Sequence, residues 1–453
     1  MNATNAANDT HRKRMLIAAF LAWMFAGLEN SLFILIHRQM MLELLGPETA
    51  ERVIAEWFAW FQSAFLFGAA AGGWFFGSLG DRFGRTQAMG LSVACYSGFT
   101  LMCYFVRDPH LMWVLRFLAC LGFGGSWPNA VALVAEAWPS ASRPLMAGIM
   151  GTAANFGFVL LGCIGYTFVI TNEHWRWVFL IGGSPVLLAA WILVAVPESA
   201  KWLSLRHAAS EQPTSKAAVV EVFQRPLLYR TLLGICLGAI PVVGTAANAN
   251  WIVPWTDQYE ARSASAMDAT SQNRLAGPSS PDNVTSASLR KPRAADPRKK
   301  ALAQIQRSTG AIFGSLLGGI MASCVGRRLS YFLISLCTFV VSSVLFTQLN
   351  PHHAMFPYMT FLLGFFGVTY FGWLPLFLPE LFPTRVRTTG TGISFNTGRI
   401  IAAFVVLLAA FRMDSFQGDY ARVGFWSGMI YVAGMIVIWF APKKNVASAE
   451  DAR

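Results

Sequence analysis

The stretch GSLGDRFGR, Gly77 to Arg85, separates two long apolar runs, and its outline returns 242 residues later as GIMASCVGRR, beginning at Gly319. Five positions share that offset: Gly68, Gly72, Gly77, Gly84 and Arg85 recur as Gly310, Gly314, Gly319, Gly326 and Arg327. A second set recurs at 244, with Glu136, Pro139 and Arg143 of EAWPSASR repeated as Glu380, Pro383 and Arg387 of ELFPTRVR. Asn155 and Gly157 return at 241 as Asn396 and Gly398. Offsets this consistent mark a duplicated unit, and duplicated membrane halves generally face each other across a central pathway.

Outward from that stretch the chain is overwhelmingly apolar. Of 453 residues 55% are hydrophobic and 13% charged, against roughly 25% charged in soluble domains. Apolar runs occupy 15–36, 54–79, 87–106, 111–134, 144–170 and 176–196, and then 228–255, 304–325, 329–348, 355–378, 389–411 and 423–441. At about 20 residues per spanning helix, this predicts an all-α membrane protein with twelve transmembrane helices as two pseudo-symmetric six-helix bundles. The predicted units are an N-terminal tail 1–14, a first bundle 15–196, a linker 197–227, a second bundle 228–441 with a disordered outer loop 256–303, and a tail 442–453. The first run is too long for a signal-peptide core and reads as an uncleaved first helix.

The net charge of +12 does not point to nucleic acid, because Lys and Arg sit in the connections, where they set orientation. With the N-terminus inside, the inner segments hold 18 basic residues and the outer loops 6, leaving aside 9 between 256 and 307. Those nine oppose the rule, and the repeat outweighs them. Both termini are expected to be cytoplasmic, with a bacterial inner membrane as the location. All seven cysteines fall in apolar runs without a CxxC, so no disulfide framework or metal site is expected. No phosphate-binding GxxxxGK[ST] occurs, which argues against ATP-driven transport. The expected partners are a small-molecule substrate and the lipid bilayer, for a monomeric protein that is not an enzyme and uses no cofactor beyond a proton gradient.

Gly77–Arg85 matches the G-x-L-x-D-R-x-G-R signature, and the chain resembles the major facilitator superfamily. PESAKWL, Pro197 to Leu203, is similar to the PESPRWL motif of its sugar-porter branch. The E-x-x-P-x-x-x-R elements resemble that branch and the metabolite:proton and aromatic-acid:proton symporters. The resemblance covers nearly everything except the tails and the 256–307 insertion. It implies a conformational latch formed by Gly77, Asp81, Arg82, Gly84, Arg85, Glu136, Arg143, Gly326, Arg327, Glu380 and Arg387. Ser323 stands where Asp81 stands in the first copy, so the second copy is expected to be the weaker.

Charges inside the apolar runs carry the chemistry, since one charge at bilayer centre costs about 2.5–3.5 kcal/mol on insertion scales. Three stand out: Glu29, Arg116 and Arg399. Proton-coupled sugar porters pair a helix-1 acid with a helix-4 Arg, and Glu29 with Arg116 matches that arrangement. The resemblance therefore implies proton coupling at this pair, the alternative being a static ion pair that positions two helices. Ala26 occupies the place where related symporters carry a further acid, which leaves an uncoupled facilitator open. Arg399 suits a carboxylate through its planar fork, or else is satisfied by a neighbouring carbonyl. Asn396, Asn155, Gln62, Asn248, Asn250, Trp127 and Trp251 complete the candidate substrate-binding set, with Trp255 and Trp373 as further walls; each alternatively serves packing. The expected function is proton-coupled import of a small organic acid or sugar-like metabolite by alternating access. A proton-antiport exporter and, in a different class, a membrane ligand sensor are the competing readings.

Overall fold

The computed structural model describes residues 2–138, 143–200, 202–203, 215–275, 296–383, 386–413, 415–416 and 418–442. Twelve helical spans follow one another: α1 Asn2–Leu45, α2 Glu51–Phe83, α3 Arg85–Cys103, α4 Pro109–Ala137, α5 Arg143–Thr167 and α6 Trp177–Ala195 in the first half. The second half holds α7, which starts at Leu227, then α8 Arg298–Cys324, α9 Arg327–Gln348, α10 Phe356–Phe377, α11 Arg387–Phe411 and α12 Tyr420–Phe440. Ten of the twelve are apolar enough over their length to cross a membrane unaided. The other two, α3 and α8, carry more polar side chains; α3 packs against α2, α4 and α6, and α8 against α5 and α10.

The duplication visible in the sequence is a duplication of packing. α2 lies against α4 as α8 lies against α10, and α1 meets α5 as α7 meets α11. The repeated glycines make these approaches possible. A Cβ at Gly72 would stand 1.9 Å from the Leu121 carbonyl oxygen, and one at Gly314 would stand 2.0 Å from that of Phe365. Small residues at such crossings let backbones touch where lipid supplies no hydrophobic drive. Gly84 and Gly326, with φ of +118° and +90°, turn the chain between α2 and α3 and between α8 and α9, a conformation that side chains with a Cβ avoid.

The halves meet through α2 against α11 and α5 against α8, a pair of contacts that the repeat exchanges. Along α2 and α11 the contact runs from Trp60 and Phe411 through Phe67 and Phe404. It reaches Gly73, where a Cβ would lie 3.2 Å from Asn396. One turn further towards the Gly84 face, added Cβ atoms at Gly77 and Gly392 would meet no described residue within 4 Å. Ala59 and Leu66 pack with Val242, Val243, Ala246, Ala247, Ala402, Ala403 and Val406 across this interface. The described cross-half contacts thus close the predicted outer face and thin out towards the face of the Gly84 and Gly326 turns.

Two sequence expectations need correction. Residues 256–303 are not a disordered loop throughout: α7 continues as helix Ile252–Leu275, and α8 starts at Arg298. The extension is held by tertiary bonds that composition does not reveal. The Gln258 amide donates to the Gly418 carbonyl at 2.7 Å and Lys299 pairs with Glu260 at 2.7 Å. Similarly, α1 runs through the predicted tail, from Asn2. The linker 197–227 contains a short helix, Ser215–Val222, and residues 276–295 and 443–453 lie outside the described residues.

Candidate functional site

In the first half, Glu29 on α1 and Arg116 on α4 are 0% and 1% exposed, and Arg116 Nη1 donates to Glu29 Oε1 at 2.5 Å. The same oxygen accepts from the Thr100 hydroxyl of α3 at 3.4 Å, and Arg116 Nη2 donates to Asn30 Oδ1 at 2.8 Å. The guanidinium lies over the Phe33 ring at 4.3 Å. Glu29 Oε2 is buried with no hydrogen-bond partner. A carboxylate with one oxygen bound and one free can accept a proton and release its Arg without any backbone movement. Gln62 of α2 lines the same recess as Arg116, with its amide nitrogen also unpartnered.

Across the interface, Arg399 is 8% exposed. Its Nη1 donates to the Ala69 carbonyl of α2 at 3.1 Å and to Asn396 Oδ1 at 3.3 Å, and the guanidinium sits over Phe395 at 4.8 Å. A carbonyl therefore receives it in this conformation. Asn155 is half-buried on α5 and makes no side-chain hydrogen bond among the described residues. Asn248 turns inward: its amide donates to Ser342 at 2.8 Å and to the Gly424 carbonyl at 2.5 Å, tying α7 to α9 and α12. Trp127 packs on Trp23 at 4.8 Å. Trp251 is buried between Phe58 of the first half and Tyr420 of the second. Trp255 packs on Phe346 and Phe356, and Trp373 bonds Ser330 at 2.9 Å inside the second half.

At midspan α7 leaves α-helical geometry, passing from Leu227–Val243 through a π-helical segment, Gly244–Asn248, to a 3-10 turn, Ala249–Trp251. Such irregularity within a spanning helix commonly accompanies a functional site. It presents Asn250, whose Oδ1 accepts from Arg307 Nη1 at 2.9 Å. Arg307 is a buried charge that the charge count groups with the loop at 256–307, although the apolar run 304–325 contains it. Its signal was in the repeat, because the 242 offset carries position 307 onto Phe65, in the middle of α2. A cross-half seal was also missed. Gln39 of α1 donates to Asp257 Oδ2 at 3.1 Å, Lys300 of α8 pairs with Asp257 at 3.3 Å, and Lys300 donates to Gln39 as well.

On the opposite face the two Arg–Glu motifs meet in space. Arg85 lies 3.5 Å from Glu136, and Arg327 grips Glu380 with two bonds, at 2.7 and 3.1 Å. Each pair lies within its own half, Arg85–Glu136 in the first and Arg327–Glu380 in the second. The Arg–Glu pair of the second copy is the tighter, because Arg327 presents its fork to both oxygens; the side chains of Asp81 and Ser323, on which the expected asymmetry rests, lie outside the described residues. Glu198 of the PESAKWL stretch accepts from the backbone N–H of Arg85 at 2.9 Å and of Thr86 at 3.1 Å, capping α3. Arg82 is exposed beside Phe83. The side chains of Asp81, Arg143 and Arg387 lie outside the described residues.

A family model described as Major Facilitator Superfamily matches residues 15–267. The chain belongs to the major facilitator superfamily. It is 25% identical over 386 residues, 84% of each chain, to a cis,cis-muconate transport protein of Acinetobacter baylyi. It is 27% identical over 337 residues to a protein of Cupriavidus pinatubonensis named "Probable 4-methylmuconolactone transporter", covering 74% of this chain and 70% of that one. Its fold matches the xylose transporter XylE of E. coli in a partially occluded inward open conformation with a TM-score of 0.70 at 13% identity, over 95% of this chain and 100% of that one. As a member of this superfamily the chain is a multi-pass membrane transporter of a small molecule, not an enzyme.

Proposed function

We propose that this major facilitator protein imports a small organic acid together with a proton, its two halves rocking about a midplane site, with both termini in the cytoplasm of a bacterial cell. The observation that carries the coupling is the buried Glu29–Arg116 pair, in which one carboxylate oxygen is held and the other is free. Protonating Glu29 from the outer side would release Arg116; losing the proton to the inner side would restore the pair, so one cycle moves one proton. Arg399, bound only by neutral oxygens here, is the carboxylate receptor: a substrate oxygen replaces the Ala69 carbonyl when the halves separate. Relatives named for muconate and for a muconolactone support an organic acid over a neutral sugar.

The test is uptake into reconstituted vesicles with and without an inward proton gradient, for the wild type and Glu29→Gln. Symport predicts gradient-dependent accumulation that Glu29→Gln abolishes while counterflow exchange persists. Uptake indifferent to the gradient and to Glu29 would make the protein an uncoupled facilitator, with the pair fixing α1 against α4.

A further inference from the structure

Arg307 poses a separate question. It is 7% exposed, its Nη1 is held by the neutral Asn250, and its Nε has no partner. Among the described residues no acid pairs with it. The same is true of Arg399, whereas Arg116 is neutralised by Glu29. Two guanidinium charges therefore stand uncompensated at the boundary between the halves, where an unpaired buried charge is unfavourable and marks a site for an ion or substrate.

Their placement is paired. Arg399 of α11 reaches α2 at Ala69, and Arg307 of α8 lies over the Phe158 ring of α5 at 5.3 Å. The repeat exchanges these two interfaces. The 241 offset that relates Asn155 to Asn396 relates Phe158 to position 399, so the ring beneath Arg307 sits at the level of Arg399 on the other side of the pseudo-two-fold axis. The face of α8 that carries Arg307 also holds Gln304 Oε1, Ser308 Oγ and Ser315 Oγ, all buried and unpartnered, and Trp251 Nε1 across on α7 is likewise unpartnered. In a protein interior nearly every such atom is satisfied by protein or water, and a row of exceptions along one face leaves donors and acceptors there for water or a ligand to complete.

We propose that Arg307 is a second anion-binding residue, placed opposite Arg399, and that the transported class is a dicarboxylate that lays one carboxylate on each guanidinium. A monocarboxylate leaves one buried charge unmatched, while a dianion leaves none. Asn250 is the placeholder that Arg307 exchanges for substrate, as the Ala69 carbonyl is for Arg399. This inference rests on the organic-acid reading above.

Hexa-2,4-dienedioate and its monomethyl ester, which differ by one charge at nearly constant shape, decide it. Purified wild-type protein is first tested by thermal shift and then by competition for uptake in vesicles, followed by Arg307→Gln and Arg307→Lys. The diacid should bind at least tenfold more tightly than the ester to the wild type. Arg307→Gln should remove that preference by weakening diacid binding alone, and Arg307→Lys should recover part of it. Equal binding of diacid and ester by wild type, both lost in Arg399→Gln, would overturn the two-guanidinium site and leave organic-acid transport standing. Binding of neither, nor of other organic acids, would overturn both readings. Because the wild-type preference is read without any variant, poor folding of Arg307→Gln does not blunt the test.

Discussion

Lys300→Met should loosen the predicted outer face. Lys300 is 2% exposed and joins Asp257, on α7 of its own half, to Gln39, on α1 of the other. Its removal leaves the Asp257 carboxylate, only 13% exposed, with the Gln39 amide as its remaining side-chain donor among the described residues. A hydrogen bond to a charged group is worth about 1.5–3 kcal/mol, and opening the face hydrates the orphaned carboxylate. The closed-to-open ratio should therefore fall roughly 10- to 100-fold. Val253, 1% exposed in the recess beneath the seal that His37 and Tyr420 also line, is the reporter. Val253→Cys, with Cys163, Cys236 and Cys324 replaced by serine, is treated from outside with a membrane-impermeant maleimide. Labelling should accelerate by about the same factor as the population shift. Adding Asp257→Leu should return the rate most of the way, since removing both charges avoids burying one alone. A single variant that melts like the parent and labels less than twofold faster, or a double variant that labels as fast as the single, would refute the seal.

Two further outcomes test the framework. Gly72→Leu should lower the melting temperature in detergent sharply, because even its Cβ would overlap the Leu121 carbonyl; Gly77→Ala, with no described residue within 4 Å of the added carbon, should leave it within a degree or two. Glu198→Gln should cost about 1 kcal/mol of stability, since it weakens the cap on the α3 N-terminus and removes a charge favoured there. A melting curve unchanged by Glu198→Gln would show that the cap is dispensable.

The sequence alone determined the twelve spans, the duplication, the family resemblance and the costly charges Glu29 and Arg116, whose pairing the resemblance implied and the structure shows. Each of these is written in one dimension: apolar length, recurrence at a fixed offset, a short motif, and a charge where charge is costly. The pairing of Arg85 with Glu136 and Arg327 with Glu380 was latent there too, because both offsets held the partners without showing that they touch. Only the tertiary structure decided the polar assignments. Asn248 and Asn250 look alike in ANAN, yet one ties three helices together and the other holds a buried Arg, because residues two apart on a helix face different sides and only the packing shows what each side meets. Lys300 and Asp257 read as loop residues by hydropathy, and Arg307 is counted with them at the edge of its run, since a helix that buries its polar face against another helix need not be apolar. What separates solvent from interior at these positions is the neighbouring half, about which local composition carries no information.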